Sequence, residues 1–331
     1  MHDESKNHPS GQKESPSIVD ALEGETIKGL EATANHNARI EHYAQAKARS
    51  VGMADYIEHN VEMIDDVPKI HQALNTCGEY LVFRDYYTLG KIKLSGICSC
   101  KKHFLCPLCA IRRGGKAVKS YMDRLEVLMS MPENCDLRAY LITLTVKDGP
   151  DLWERFKHLH KSVKAYHQKR RHSKNGFRDG VEANKAHGAV WSYEVKKGKN
   201  SRQWHPHMHA IWLCSEPPEQ SKLQEEWHAI TGDSFIVDVT PFYTEPAKGF
   251  LEVFKYAVKF SDMSYADTWE VHKTLSGTRM VASFGCFRGV KVPEVMTDDL
   301  DEDLPYIEMF YKFVRGANYY AQKTDIQAMT G

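Results

Sequence analysis

WHPHMHAIWL, residues 204–213, is the stretch whose reading decides the fold. It carries His205, His207 and His209 at alternate positions, then an apolar, β-favouring Ala-Ile-Trp-Leu with no helix caps. That composition reads as a buried strand. Side chains two apart on a strand share a face. His207 and His209 therefore stand side by side, and Met208 turns into the opposite packing layer. Two neutral imidazoles held on one face are half of a divalent-metal site. Packed, half-exposed histidines are the plainer alternative, but three at period two on an apolar strand favour a metal.

Upstream, GAVWSYEV (188–195) reads as a second strand and KKGKNSRQ as a turn, so the histidine strand returns antiparallel to it. This hairpin brings Glu194 near the histidines. A carboxylate beside two imidazoles is a natural third ligand for Mg²⁺ or Mn²⁺, although the turn length leaves the register open. RAYLITLTVK (138–147) is another strand, with Ile142, Leu144 and Val146 on one face and Leu141, Thr143 and Thr145 on the other. WERFKHLHKSVKAYHQKRR follows as a helix, apolar on one side and basic on the other; a surface helix and a DNA contact suit it equally.

Downstream come a helix over 219–230, a strand over 234–242, and GFLEVFKYAVKFSDM with a helical period over 251–260. Glu252, Tyr256 and Lys259 are spaced by four and then three, so they share one stripe. The remainder reads as a Gly-rich β-like piece (VASFGCFRG), an acidic stretch and a terminal helical segment.

Before the histidine region, residues 1 to about 35 are polar and expected to be disordered. Residues 36–75 have a helical pattern and are expected to pack weakly or act as an arm. GEYLVFRDYYTLGKIKLSGICSC reads as a β-hairpin. Cys106-Pro-Leu-Cys109 has a zinc-knuckle spacing, since C-x-x-C lets two thiolates converge on one tetrahedral ion. Cys100 is a good further ligand, and Cys98 or Cys77 completes the set. A helix starting near Cys109 carries Arg112, Arg113, Lys116 and Lys119 in its first turns, and phosphate contact is its simplest use.

Composition bounds the partners. The chain has 331 residues with 44 basic and 44 acidic side chains, and 42% hydrophobic and 27% charged residues, as in soluble globular proteins. No apolar run is long enough to span a bilayer and the opening residues are polar and acidic, so no membrane segment or signal peptide is expected and the cytoplasm is the expected location. Zero net charge argues against a nucleic-acid partner until its segregation is noticed. Between Lys91 and Arg124 nine bases face one acid, Asp123, and bases dominate again from Arg155 to Arg202. Such blocks suggest a local polyanion-binding surface. Trp191, Tyr193, Trp204 and Trp212 are compatible with a groove for single-stranded DNA, core packing being the better reading of Trp212. Four clustered cysteines in a cytosolic-looking chain indicate metal, not disulfides.

His-hydrophobe-His on a strand followed by Tyr-x-x-Lys on a helix resembles the HUH endonuclease superfamily. The TLT strand (Thr143 to Thr145), HPHMH, and KYAVK with a preceding Glu are similar to the three ordered motifs of plasmid rolling-circle replication initiators, and CPLC followed by Arg112-Arg113 resembles their N-terminal part. The resemblance covers residues 75 to 262. One departure is the five-residue gap between Cys100 and Cys106, where four are expected. The resemblance implies an α+β fold: a central antiparallel sheet with flanking helices, preceded by a small zinc-binding β-hairpin/helix module. The implied division is an acidic, partly disordered region (1–70), a cysteine-rich module with the basic helix (71–130), a catalytic domain (131–290) and an acidic stretch with a helical segment (291–331). It implies a site-specific nicking-joining enzyme. His207, His209 and Glu194 would hold Mg²⁺ or Mn²⁺, Tyr256 would be the nucleophile forming a 5′-phosphotyrosyl intermediate, Lys259 would lie near the scissile phosphate, and Glu252 would serve termination. The implied partners are plasmid origin DNA and, with it, host helicase and polymerase; structural Zn²⁺ is the second implied metal. A transposase or relaxase of the same superfamily, a zinc-ribbon DNA-binding regulator without chemistry, and a metal-dependent hydrolase using the histidines alone are the rival readings.

Overall fold

The described chain runs α1 (Ala32–Asn60), α2 (Val67–Thr76), β1 (Tyr80–Tyr86), β2 (Lys91–Ile97), α3 (Pro107–Met129), β3 (Arg138–Thr145), α4 (Leu152–Lys174), β4 (Ala186–Lys197) and β5 (Trp204–Cys214). It continues through α5 (Gln220–Thr231), β6 (Val237–Pro241), α6 (Pro246–Phe254), α7 (Tyr265–Leu275), β7 (Val281–Gly285), β8 (Ile307–Phe313) and β9 (Tyr319–Gln322). The structure, a computed structural model, describes residues 32–176, 180–198, 200–241, 246–254, 260 and 263–322. Of the residues expected to be disordered, 1–31 lie outside the described residues and 32–35 begin α1.

The histidine strand is the centre of a five-stranded antiparallel sheet of order β6-β3-β5-β4-β7. Its near-continuous apolar run has a simple cause, since both faces are covered. Met208, Ala210 and Trp212 pack in one core cluster with Leu159, Val163 and Tyr166 of α4 and Trp227 of α5. Ile211 and Leu213 join the other, built from α1, α2, α3, α6 and the second sheet. Pro206 lies just past the last β3 pair, Thr145–His207, so its missing N–H costs no bond to β3. Helices flank an antiparallel sheet as expected, and the fold is α+β.

Two expectations are corrected. α1 is no weakly held arm: Tyr43, Lys47, Ala54 and Ile57 are buried in the main core. Within the expected terminal helical segment, the described residues up to 322 form β8 and β9, which complete a four-stranded sheet of order β2-β1-β8-β9. Tyr306 to Phe313 is dense in aromatic and β-branched residues, which favour a pleated surface. Gly316, at φ +80°, supplies the left-handed turn between the strands. The hairpin of the cysteine segment therefore shares one sheet with residues near the chain's end.

The acidic stretch closes over the cysteine module. Asp298 receives Arg112 at 2.5 Å, Arg39 at 2.8 Å and the Leu94 backbone N–H at 2.6 Å. Asp299 meets Lys116 at 3.0 Å, and Asp301 meets Lys93 at 2.7 Å. Burial alone would raise the Asp298 pKa, but Arg39 and Arg112 outweigh it and hold the carboxyl well below the usual carboxylate range. A depressed folded pKa gives stability that is complete above the unfolded value of about 4 and is lost as pH falls below it. Wild-type urea midpoints are therefore expected to hold from pH 7 to 5 as far as this group is concerned, and to fall below pH ~4. Asp298→Ala, which strands the buried Arg112, is expected to cost about 3–5 kcal/mol at pH 7 and to flatten that acid limb. An unchanged midpoint would contradict this role.

Candidate metal centres

The hairpin register settles what the turn left open. Glu194 of β4 sits opposite His207, and Ser192 opposite His209. On the other side Thr143 and Thr145 of β3 oppose His209 and His207. All six share the sheet face that looks away from Met208. Glu194 Oε2 lies 3.2 Å from His207 Nε2 and 3.4 Å from His209 Nε2. Glu194, His207 and His209 are buried, at 4%, 3% and 8% exposure, which separates them from ordinary surface carboxylates and histidines. Their ligand atoms lie close enough to hold a metal ion.

The surroundings orient the donors. His207 Nδ1 donates to the His205 carbonyl at 3.4 Å, which leaves Nε2 as the lone-pair nitrogen facing Glu194. His209 Nδ1 pairs with Thr143 Oγ1 at 3.0 Å, and this turns its Nε2 the same way. Burial holds the His207 pKa below its usual value against the pull of Glu194, which favours the neutral, ligating imidazole. On Glu194 burial pushes upward, and the two histidines outweigh it, keeping the carboxyl well below its usual range. His205, the third histidine, is not part of this cluster. Its Nδ1 is 2.5 Å from Asp148, whose other oxygen accepts from Ser201.

α6 lays one carboxylate beside the trio. Ser192 Oγ donates to the Val253 carbonyl, pinning the helix to the sheet. Glu252 Oε1 then stands 3.7 Å from His209 Nε2, with about a third of its side chain exposed. Tyr256 and Lys259 lie outside the described residues.

The second cluster gathers Cys77, Cys100, Cys106 and Cys109. Cys77 caps α2, Cys100 follows β2, Cys106 caps the start of α3 with Pro107 at its first turn, and Cys109 lies on that turn. Sγ atoms are 3.6 Å apart for Cys77–Cys106, 3.5 Å for Cys77–Cys109 and 3.6 Å for Cys100–Cys109. Cys98 is outside the set. The Cys100 backbone N–H and the Ser50 hydroxyl donate to Cys77 and Cys106 sulfurs. Lys47, buried and tied to the Asn75 carbonyl, brings a positive charge close by. Sequence reasoning missed Ser50 and Lys47, because nothing local in a long helix marks residues that reach a remote cluster.

The basic stripe of α3 is corrected in part. Arg112 and Lys116 are buried and engaged by Asp298 and Asp299, so they do not face solvent as a phosphate contact requires. Arg113 and Lys119 remain exposed, Lys119 pairing with Asp123. Trp204 and Trp212 are core residues, each 1% exposed. No described helix is long and apolar enough to cross a membrane.

Against known proteins, the family model described as a replication protein matches residues 91–312, which is more than half of the chain and contains the Glu194–His207–His209 trio and Cys100, Cys106 and Cys109, with Cys77 lying before it. No curated protein and no solved structure matches it.

Proposed function

This chain belongs to the replication protein family, and from that premise we propose that it initiates plasmid rolling-circle replication by nicking one strand at the double-strand origin. The observation that carries the reading is the buried Glu194–His207–His209 trio with Glu252 at its edge. Two imidazoles and a carboxylate suit Mg²⁺ or Mn²⁺, and a divalent cation there would neutralise charge on the non-bridging oxygens of the scissile phosphate.

The chain's own residues do the rest. Tyr256 follows the described end of α6 by two residues in sequence. A tyrosine hydroxyl has a pKa of about 10 and needs positioning or activation to attack. Its oxygen forms a bond to phosphorus as its proton leaves. The P–O3′ bond breaks, and the departing 3′-oxygen takes up a proton. The products are a 5′-phosphotyrosyl end and a 3′-hydroxyl that primes synthesis on the closed circle. Lys259 would lie near the scissile phosphate. Rejoining reverses the step when a 3′-hydroxyl attacks the phosphotyrosine.

Glu252 is assigned to termination. Its place beside His209 suits a carboxylate that takes the proton from an attacking water or hydroxyl in the second cleavage. Glu252→Ala is expected to slow release of closed circles by about 100-fold or more, within the usual range for losing a general base, and to affect the first nick far less. Normal termination by that variant would remove this role.

Structural Zn²⁺ is proposed at the cysteine cluster. Thiolates about 2.3 Å from a tetrahedral zinc stand about 3.8 Å from one another. The observed spacings of 3.5 and 3.6 Å are close to that edge. The whole reading is tested by incubating the purified protein with supercoiled origin plasmid and Mg²⁺ or Mn²⁺. Open circles and a detergent-stable protein–DNA adduct support it. Origin binding without either product would return the chain to the class of non-catalytic regulators.

A further inference from the structure

A second cleft lies on the face of the five-stranded sheet turned away from Glu194. On β4, Trp191 and Tyr193 point into it, while Ser192 and Glu194 point to the metal side. Its volume is about 300 Å³, at the small end of ligand pockets, and its lining contains no acidic residue.

Three rings form its aromatic wall. His167 of α4 stacks on Trp191 with ring centroids 4.4 Å apart, and Phe284 of β7 meets His167 edge-on at 5.4 Å. Arg170 lies 3.8 Å over the Phe284 ring while its guanidinium donates to the Ala183 and Ala186 carbonyls, so it serves as fixed structure. Lys164, Arg171 and Arg279 are the exposed cations of the lining.

His167 is the unexplained member. Both of its ring nitrogens are buried without a hydrogen-bond partner. Leaving such groups unsatisfied is costly, and each invites an explanation. Burial, with Arg170 and Arg171 adding to it, lowers the His167 pKa to about 4, so at neutral pH the ring offers one donor and one acceptor. An aromatic wall with His167 stacked on Trp191, a neutral imidazole among its rings and a cationic rim together match one ligand chemistry: a heteroaromatic base carrying phosphate.

We propose that this cleft binds a nucleoside phosphate, its base against His167 and the adjoining rings and its phosphate toward Lys164, Arg171 and Arg279. The site needs neither the metal trio nor Tyr256, so it stands apart from the proposed nicking reaction. Two sources share the chemistry: an unpaired nucleotide of single-stranded DNA, and a free nucleotide.

The test uses full-length protein without added Mg²⁺ or Mn²⁺, so that no strand is cut. A single-stranded oligonucleotide with one 5-iododeoxyuridine is photocrosslinked and the attached peptide is sequenced by mass spectrometry. The same is done with 5-iodo-dUMP. Crosslinking to His167, Trp191, Tyr193 or Phe284 is expected. His167→Ala should remove the crosslink and weaken the ligand that gave it about tenfold, as loss of one stacking partner does. The exposed pair Lys164→Glu/Arg171→Glu should weaken it comparably with the fold intact by circular dichroism. Capture of the oligonucleotide alone assigns the site to DNA; capture of the mononucleotide as well assigns it to nucleotides in general. Crosslinks mapping only elsewhere would overturn the proposal, even if charge reversal weakened overall DNA binding.

Discussion

Replacing His207 and His209 together by glutamine is expected to lower nicking of supercoiled origin DNA by about 1,000-fold or more, equivalent to about 4 kcal/mol of lost transition-state stabilisation. Glutamine is chosen because Glu194 is buried against both imidazoles. Alanine would strand its carboxylate, and an uncompensated buried charge costs about 3–5 kcal/mol of stability. An amide N–H can donate to Glu194, but an amide is a poor substitute for an imidazole lone pair toward a cation. Origin binding measured by fluorescence anisotropy should change by less than about threefold, because phosphate contacts supply most of the affinity of such complexes. Nicking within tenfold of wild type would mean that the trio is not where the phosphate is activated.

The second large effect concerns the cysteines. Cys106→Ser/Cys109→Ser is expected to abolish cooperative unfolding. A structural zinc contributes an apparent 10–16 kcal/mol or so in small modules, about as much as the whole stability of an ordinary domain, roughly 5–15 kcal/mol. Here the cluster is built into the main core, with Cys77, Cys106 and Cys109 buried among Leu81, Leu105 and Leu108. Wild-type protein should carry one zinc per chain by elemental analysis, and the double variant none. Cys98→Ser should retain both the zinc and the melting temperature, since Cys98 is outside the cluster. A double variant that unfolds at the wild-type urea concentration would show that the thiols are merely packed.

The sequence was most legible where side-chain period and function coincide. Alternation alone put His207 and His209 on one face and Met208 on the other, and the hairpin brought Glu194 within reach. Register was not legible, because a turn of unfixed length permits several pairings; Glu194 opposite His207 emerged only with the fold. Among the cysteines, spacing identified Cys106 and Cys109 but could not choose between Cys77 and Cys98. That choice depends on where α2 ends relative to β2, a tertiary fact. The basic run of α3 misled because local charge says nothing of a partner far along the chain, and Asp298 lies 186 residues beyond Arg112. The terminal strands were missed for the related reason that β8 is defined by pairing with β1 across most of the sequence. Conversely, His167 carried no signal at all: one histidine in a helix rich in His, Lys and Arg looks solvated until its ring is found stacked on Trp191.

The most direct measurement is the identity of the residue joined to DNA. After nicking in Mg²⁺ or Mn²⁺, the detergent-stable adduct is digested with nuclease and protease, and the nucleotide-bearing peptide is sequenced by mass spectrometry. The predicted result is a 5′-phosphate ester on Tyr256, with no adduct from Tyr256→Phe. Nicking that proceeds without a covalent adduct, or an adduct on another residue, would contradict it.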